Sequence, residues 1–324
     1  MSSVPLHSHD DLISRIAFGS ARVPADDLGR AQATVRRAYE LGVRHFDTSV
    51  GYGSASQASL TALIRSVPGD DLFVSTKIGH FRAPFPNAMA LYRDERALWG
   101  AVHECSRILG HHVDLLQIHE ADRAYWWSPE AGEHSAVVRE EHLDDVGEAP
   151  IVRVVKRART EGVCRFVGAT GNSAAPLRRI SERLELDSVM CAYNLDPIFR
   201  GADEAIRPLA EERDLLYMAA GIFHAGAYVR LENLPERLSF DERVRNRFRE
   251  FARIRDESGF SAPELLLRWA HHFPRVDRWV VSASSPEQIQ DTIEAFLRGP
   301  LPDDVQRALD NLALPGLEYD RAAR

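Results

Sequence analysis

Residues 44–77, RHFDTSVGYGSASQASLTALIRSVPGDDLFVSTK, read as strand, helix and strand. RHFD (44–47) and LFVSTK (72–77) are short runs with apolar and β-branched residues, and ASQASLTALIRSV (55–67) between them is long enough only for a helix. Two strands joined through a helix pair in parallel, because a tight turn cannot reverse the chain and return it in the same direction. Asp47 closes the first strand and Lys77 the second, so each apolar run delivers an ionisable group at its C-terminal end.

Outward from this unit the alternation continues. RIAFG (15–19) precedes it, and VDLLQIH (113–119), RFVGAT (165–170), SVMCAYN (188–194), LLYMAA (215–220) and WVVSA (279–283) follow, making eight candidate strands. Amphipathic stretches lie between them, such as DERALWGAVHECSRILG (94–110), APIVRVVKRARTEG (149–162) and SPEQIQDTIEAFL (285–297). Most start near Ser, Asp or Pro and several run into Gly, as helices do. Eight such units with right-handed crossovers predict a single (β/α)8 (TIM) barrel domain over residues 1–324. A doubly wound sheet is the alternative, but its glycine fingerprint is missing: Gly51-Tyr52-Gly53 has no third glycine in register. Two segments exceed a minimal barrel, 120–148 and 223–260, and are read as extended loops at the C-terminal face, the second holding a further helix.

The net charge of -8 and the dispersed Lys and Arg argue against a nucleic-acid partner. MSSVPLHSHDDLISRIAF lacks the pattern of a signal peptide, and no stretch is apolar enough to span a bilayer, so a cytoplasmic protein without membrane contact is expected. Cys105, Cys164 and Cys191 lie far apart and read as reduced thiols. His7 with His9, His111 with His112 and His271 with His272 lack metal-site spacing, so no metal is expected.

Strand ends are where barrel enzymes keep their chemistry. That rule gathers Asp47, Lys77 and His119, with Tyr52 in the loop behind Asp47. Singly, Asp47 could cap a turn, Lys77 could extend its stem to solvent and His119 could be a core histidine. Together, a Lys and an Asp on neighbouring apolar strands call for pairing.

RHFDTSVGYG, VSTKIG and DLLQIHE resemble the motifs of the aldo-keto reductase superfamily, and the likeness continues through RFVGATGNS and CAYNLDP to VVSASSPEQIQDTIEAF. DTSVGYG and GATGNS are most similar to its aldose and galactose dehydrogenase branch. The resemblance implies hydride transfer between a nicotinamide, NAD(P)H, and a carbonyl or alcohol carbon of a small-molecule substrate, polar and sugar-like. Tyr52 is then the general acid or base, its pKa lowered by Lys77; Asp47 holds Lys77, and His119 orients the substrate oxygen. It also implies cofactor contacts at Ser20, at Thr170, Gly171 and Asn172, and at Met190 where a glutamine is usual. Further contacts are implied along AAGIFHAGAY, with Gly221, Ile222, Phe223, His224 and Gly226, and at Ser282, Ala283, Ser284, Gln288 and Asp291. An aromatic usual after strand seven is replaced by Ala219 or Ala220. NADP is the family's usual cofactor; the absence of basic residues at 282–291 makes NAD use a competing expectation. Trp126 and Trp127 either stack on a sugar face or clamp their own loop. Two other functions stay open: a cofactor-retaining epimerase or lyase, and a nicotinamide-binding regulatory protein. No pattern indicates an oligomeric state.

Overall fold

The computed structural model describes residue 6 and residues 12–68, 70–79, 88–110, 112–128, 136–230 and 240–319. Its strands are β1 (Ile16–Gly19), β2 (His45–Asp47), β3 (Phe73–Ile78), β4 (Leu115–Ile118), β5 (Phe166–Gly171), β6 (Ser188–Ala192), β7 (Leu216–Ala220) and β8 (Arg278–Val281). Each pairs in parallel with the next, and β8 returns to β1, closing the expected barrel. Around it lie α1 (Leu28–Glu40), α2 (Ser54–Ile64), α3 (Ala88–Leu91), α4 (Glu95–Ile108), α5 (Pro150–Thr160), α6 (Ala174–Ser181), α7 (Gly201–Arg213), α8 (Glu242–Ser258), α9 (Ala262–Trp269), α10 (Pro286–Leu297) and α11 (Asp303–Asp310).

Helix starts follow from side-chain oxygens that accept otherwise unpaired N–H groups. Asp27 accepts from Arg30 N, Asp94 from Arg96 N and Ala97 N, Asp241 from Val244 N, and Ser285 from Gln288 N. The predicted strand 188–194 ends early: Tyr193 takes a left-handed φ of +62°, which turns the chain out of the sheet.

Alternation along each strand decides which side chains enter the barrel. Ala17, Phe73, Leu115, Met190, Leu216, Met218 and Val280 pack together as a cluster separate from the larger shell between strands and helices. The same alternation puts His45 and Asp47, Ser75 and Lys77, and Gln117 on the inner face. Cys105, Cys164 and Cys191 are buried free thiols.

At the opposite end, three carboxylates brace the barrel. Asp114, just before β4, accepts from Val74 N at 2.8 Å; Asp187, before β6, from Val167 N at 2.8 Å; Asp277, before β8, from Tyr217 N at 2.6 Å. Each also meets an arginine: Arg165, Arg159 and Arg275 respectively. Every one of these acids therefore ties its own strand to the preceding one at the N-terminal face, where conserving the barrel rather than the chemistry is at stake. Asp114→Ala strips the β3 amide of its acceptor and is expected to destabilise the fold by about 2–4 kcal/mol while leaving turnover of the folded fraction unchanged. Chemical denaturation monitored by fluorescence measures this; a midpoint like that of the wild type contradicts the bracing role.

Candidate active site

The C-terminal rim brings the four sequence-derived residues together. Lys77 and Asp47, both buried, form an ion pair between Nζ and Oδ2, and Lys77 Nζ also donates to Thr48 O at 3.1 Å. Tyr52 sits on a single helical turn, Val50–Tyr52, between β2 and α2, with the Lys77 ammonium 4.9 Å from its ring centroid. His119, one residue beyond β4, meets the Tyr52 ring edge-on, the centroids 5.8 Å apart and the planes at 84°.

Around this quartet stand residues that motif reading passed over. Asp47 Oδ1 accepts from Ser75 Oγ at 2.8 Å and from Gln117 Nε2 at 3.0 Å. Ser75 Oγ lies 2.9 Å from His45 Nε2. A hydroxyl has one proton, which here goes to the carboxylate, so the imidazole must donate to Ser75 from Nε2. Burial, with Arg278 and Lys77 nearby, holds the His45 pKa well below the usual imidazole range, so it donates as a neutral ring. Ser49 Oγ is 3.1 Å from His119 Nδ1 and accepts from Gly51 N. In the tautomer where Ser49 donates to Nδ1, the His119 proton is on Nε2, the nitrogen opposite. The missed residues carried a signal: His45, Ser75 and Gln117 each stand two places before Asp47, Lys77 and His119, and so share their inward face.

The electrostatics depart from expectation at Tyr52. Burial raises the phenol pKa above its ordinary value near 10; the charge and hydrogen bond of Lys77 lower it and Asp47 raises it, and burial prevails. Tyr52 is therefore a phenol at neutral pH, not the partly ionised group that Lys77 alone would give. Burial also acts against the Lys77 ammonium, but Asp47 and Tyr52 outweigh it and leave its pKa raised.

A cleft of about 410 Å³ opens beside the quartet, across the C-terminal ends of β1, β6, β7 and β8. Its lining includes Asp47 and, of the residues named as cofactor contacts, Met190, Gly221, Ile222, Phe223, Gly226, Ser282, Ala283, Ser284 and Gln288. Gln288 Oε1 is occupied by Ser284 N and Oγ, which fixes the loop after β8. Among the lining residues not foreseen are Arg22 after β1, Tyr193 after β6 and Arg230 beyond β7. Gly221 has no room for a Cβ, which would fall 2.8 Å from the Tyr193 ring.

The other expected contacts are not among the residues that line this cleft. Ser20 is buried against Asp47 O and Ser56 Oγ. Thr170 accepts from Glu120 N, and Asn172 Nδ2 donates to Glu120 Oε1 at 2.7 Å. Asn172 N and Ser173 N donate to Asp122 Oδ2, and a Cβ on Gly171 would meet that carboxylate at 2.9 Å. These residues knit the loop after β4 to β5 and do not line the cleft. His224 is fully buried, its Nδ1 2.9 Å from Asp196 Oδ2 and its ring stacked on Phe199. Asp291 is exposed on α10, away from the cleft lining. Trp126 and Trp127 are buried, and their indole N–H groups donate to His119 O and Ala121 O, so the pair clamps its own loop. Among the described residues no group of His, Cys, Asp or Glu is arranged to hold a metal. His7, His9 and His111 lie outside them. No described helix is long and apolar enough to cross a membrane.

Comparison with known proteins agrees with this geometry. A D-threo-aldose 1-dehydrogenase from Pseudomonas sp. is 24% identical over 318 residues, covering 87% of this chain and 89% of its own. An L-galactose dehydrogenase from Arabidopsis thaliana is 28% identical over 169 residues, 49% of this chain and 45% of its own. An aldo-keto reductase from Bacillus halodurans, solved in its holo form, superposes with a TM-score of 0.71 over 95% of both chains at 19% identity, sharing the barrel fold. The Aldo/keto reductase family pattern matches residues 15–313, and the chain belongs to that family of oxidoreductases.

Proposed function

We propose that the protein interconverts a carbonyl and an alcohol on a small polar, sugar-like substrate, with NAD(P)H as redox partner and Tyr52 exchanging the proton of the substrate oxygen. The observation that carries this reading is the buried Asp47–Lys77 pair beneath Tyr52, with His119 edge-on to the phenol. An oxygen between Tyr52 and His119 has two hydrogen-bond donors, one of which can give up its proton.

The cleft suits a nicotinamide dinucleotide: it adjoins Asp47, glycines 19, 221 and 226 allow close backbone approach, and Tyr193 offers an aromatic wall in place of the one absent after β7. When bound there, the nicotinamide supplies or accepts the hydride. The chain's own residues manage the proton. In reduction Tyr52 donates it, and the fixed Lys77 ammonium stabilises the phenolate left behind. Asp47, held by Ser75 and Gln117, keeps that ammonium charged and in place. His119 orients the oxygen through its Nε2 proton, the tautomer that Ser49 favours.

Sugar-like substrates are supported by the relatives' names and by Glu120, half-buried next to His119, which accepts from Asn172 and can accept from hydroxyls. Glu120 takes a φ of +52°, a strained backbone for a non-glycine residue at the site's edge.

Nicotinamide absorbance with both cofactors across aldoses, lactones, aromatic aldehydes and secondary alcohols tests the reaction, and polyhydroxylated substrates are expected to lead. Tyr52→Phe should lower turnover at least about a hundredfold and leave cofactor affinity within about twofold; turnover near wild type would sink the mechanism. Because the Tyr52 pKa is raised, the acid stays protonated as pH climbs, so the reduction rate is expected to hold from about pH 6 to 9 and fall only above the usual phenol range. A fall centred near neutrality, absent in Tyr52→Phe, would instead mean a lowered pKa. Ser49→Ala removes a hydrogen bond worth about 1–1.5 kcal/mol and should cost about tenfold in kcat with KM little changed; an unaltered kcat would show that Ser49 does not set the His119 tautomer.

A further inference from the structure

Behind the segment from Asp47 to Tyr52 stands a side chain that the proton-transfer scheme does not use. Gln57 lies on the first turn of α2 and is buried, 7% exposed. Its Nε2 is 2.5 Å from Ser49 O and 3.0 Å from Thr48 Oγ1. A carbonyl oxygen only accepts, so the amide nitrogen faces Ser49, and its two protons go to these two oxygens. Ser49 O also accepts from Tyr52 N at 3.0 Å, which closes the single turn that carries the phenol. The backbone of Tyr52 and the side chain of Gln57 therefore converge on one oxygen.

The second amide proton starts a directed chain. Ser20 Oγ donates its one proton to Asp47 O at 3.1 Å, so Ser56 Oγ, 2.6 Å away, donates to Ser20. Thr48 Oγ1, 3.1 Å from Ser56 Oγ, then donates to Ser56 and is left to accept from Gln57. The order Gln57, Thr48, Ser56, Ser20 ends on the backbone carbonyl of Asp47, and all four side chains are buried. Both routes finish on main-chain oxygens of the segment that holds Asp47 at one end and Tyr52 at the other. Between them, Thr48 O accepts from Lys77 Nζ, and Ser49 Oγ lies beside His119 Nδ1.

Gln57 Oε1 is buried and has no hydrogen-bond partner among the described residues. An apolar side chain would avoid that unpaired acceptor, so what the amide contributes here is its two donors.

We propose that Gln57 is a positioning residue for the proton transfer: from α2, outside the sheet, it fixes the Asp47–Tyr52 segment, and with it the phenol near the Lys77 ammonium and the Ser49 hydroxyl against His119. This inference rests on the reading of Tyr52 as the group that exchanges the proton.

Steady-state kinetics of wild type, Gln57→Met, Gln57→Glu and Tyr52→Phe from about pH 5 to 9, on the fastest substrate of the carbonyl and alcohol panel, test it. Gln57→Met keeps the side chain's length and removes both donors; kcat is expected to fall about tenfold, with KM and cofactor affinity within about twofold. Gln57→Glu has one O–H to give Ser49 O when protonated, and none when ionised. Burial moves its titration above the usual value of about 4.3, so its kcat is expected within about threefold of wild type at the acid end and to fall towards that of Gln57→Met as pH rises. Wild type and Gln57→Met have no such dependence. A kcat of Gln57→Met within about twofold of wild type, or a flat profile of Gln57→Glu, overturns the role of Gln57. If Gln57→Met does not fold, the profile of Gln57→Glu decides alone. Tyr52→Phe that turns over like wild type overturns the reading of Tyr52 and this inference with it; an inactive Tyr52→Phe beside unaltered Gln57 variants overturns the role of Gln57 alone.

Discussion

A lysine ammonium enclosed by apolar strands must be neutralised where it stands, and Lys77 is held by Asp47 from the neighbouring strand. Leaving either charge alone inside the barrel would cost several kcal/mol, so the pair constrains both strands, the turn after β2 and the hydrogen bonds around it. Ser75 and Gln117 satisfy the second carboxylate oxygen, and Thr48 O takes a further ammonium proton. A partly satisfied network of this kind would be worse than an apolar core, which is why polar residues extend inward from the rim as far as His45.

The two ends of the barrel divide the work. At the N-terminal face, Asp114, Asp187 and Asp277 are spent on backbone amides and arginines, and their charge is consumed in tying strands together. At the C-terminal face, charge is held in reserve: a neutral phenol stands over a fixed ammonium, and two guanidiniums border a glycine-walled cleft. Arginine appears at both ends, and its partners decide which task it serves.

Much of this was legible in the residues. Eight apolar runs separated by helical periods admit few closures, because parallel strands need crossovers and crossovers take one hand. The rule that barrel chemistry lies at strand ends picked out Asp47, Lys77 and His119. Spacing said less about neighbours whose contacts are distant in sequence. His224 stood in the loop expected to wrap a pyrophosphate, yet Asp196 and Phe199 draw it into the core. Trp126 and Trp127 admit two readings from the sequence, and their N–H groups are held by His119 O and Ala121 O of their own loop.

The sequence by itself determined the barrel and the quartet at its rim, since periodicity and strand-end position are local properties of the chain. Only the tertiary structure set the direction in which the Tyr52 pKa moves, because desolvation depends on everything packed around the ring and here outweighs the charge of Lys77. It also decided where the cleft's positive charge comes from. Arg22 and Arg230 are separated by most of the chain, and the closed barrel brings both into the lining of one cleft.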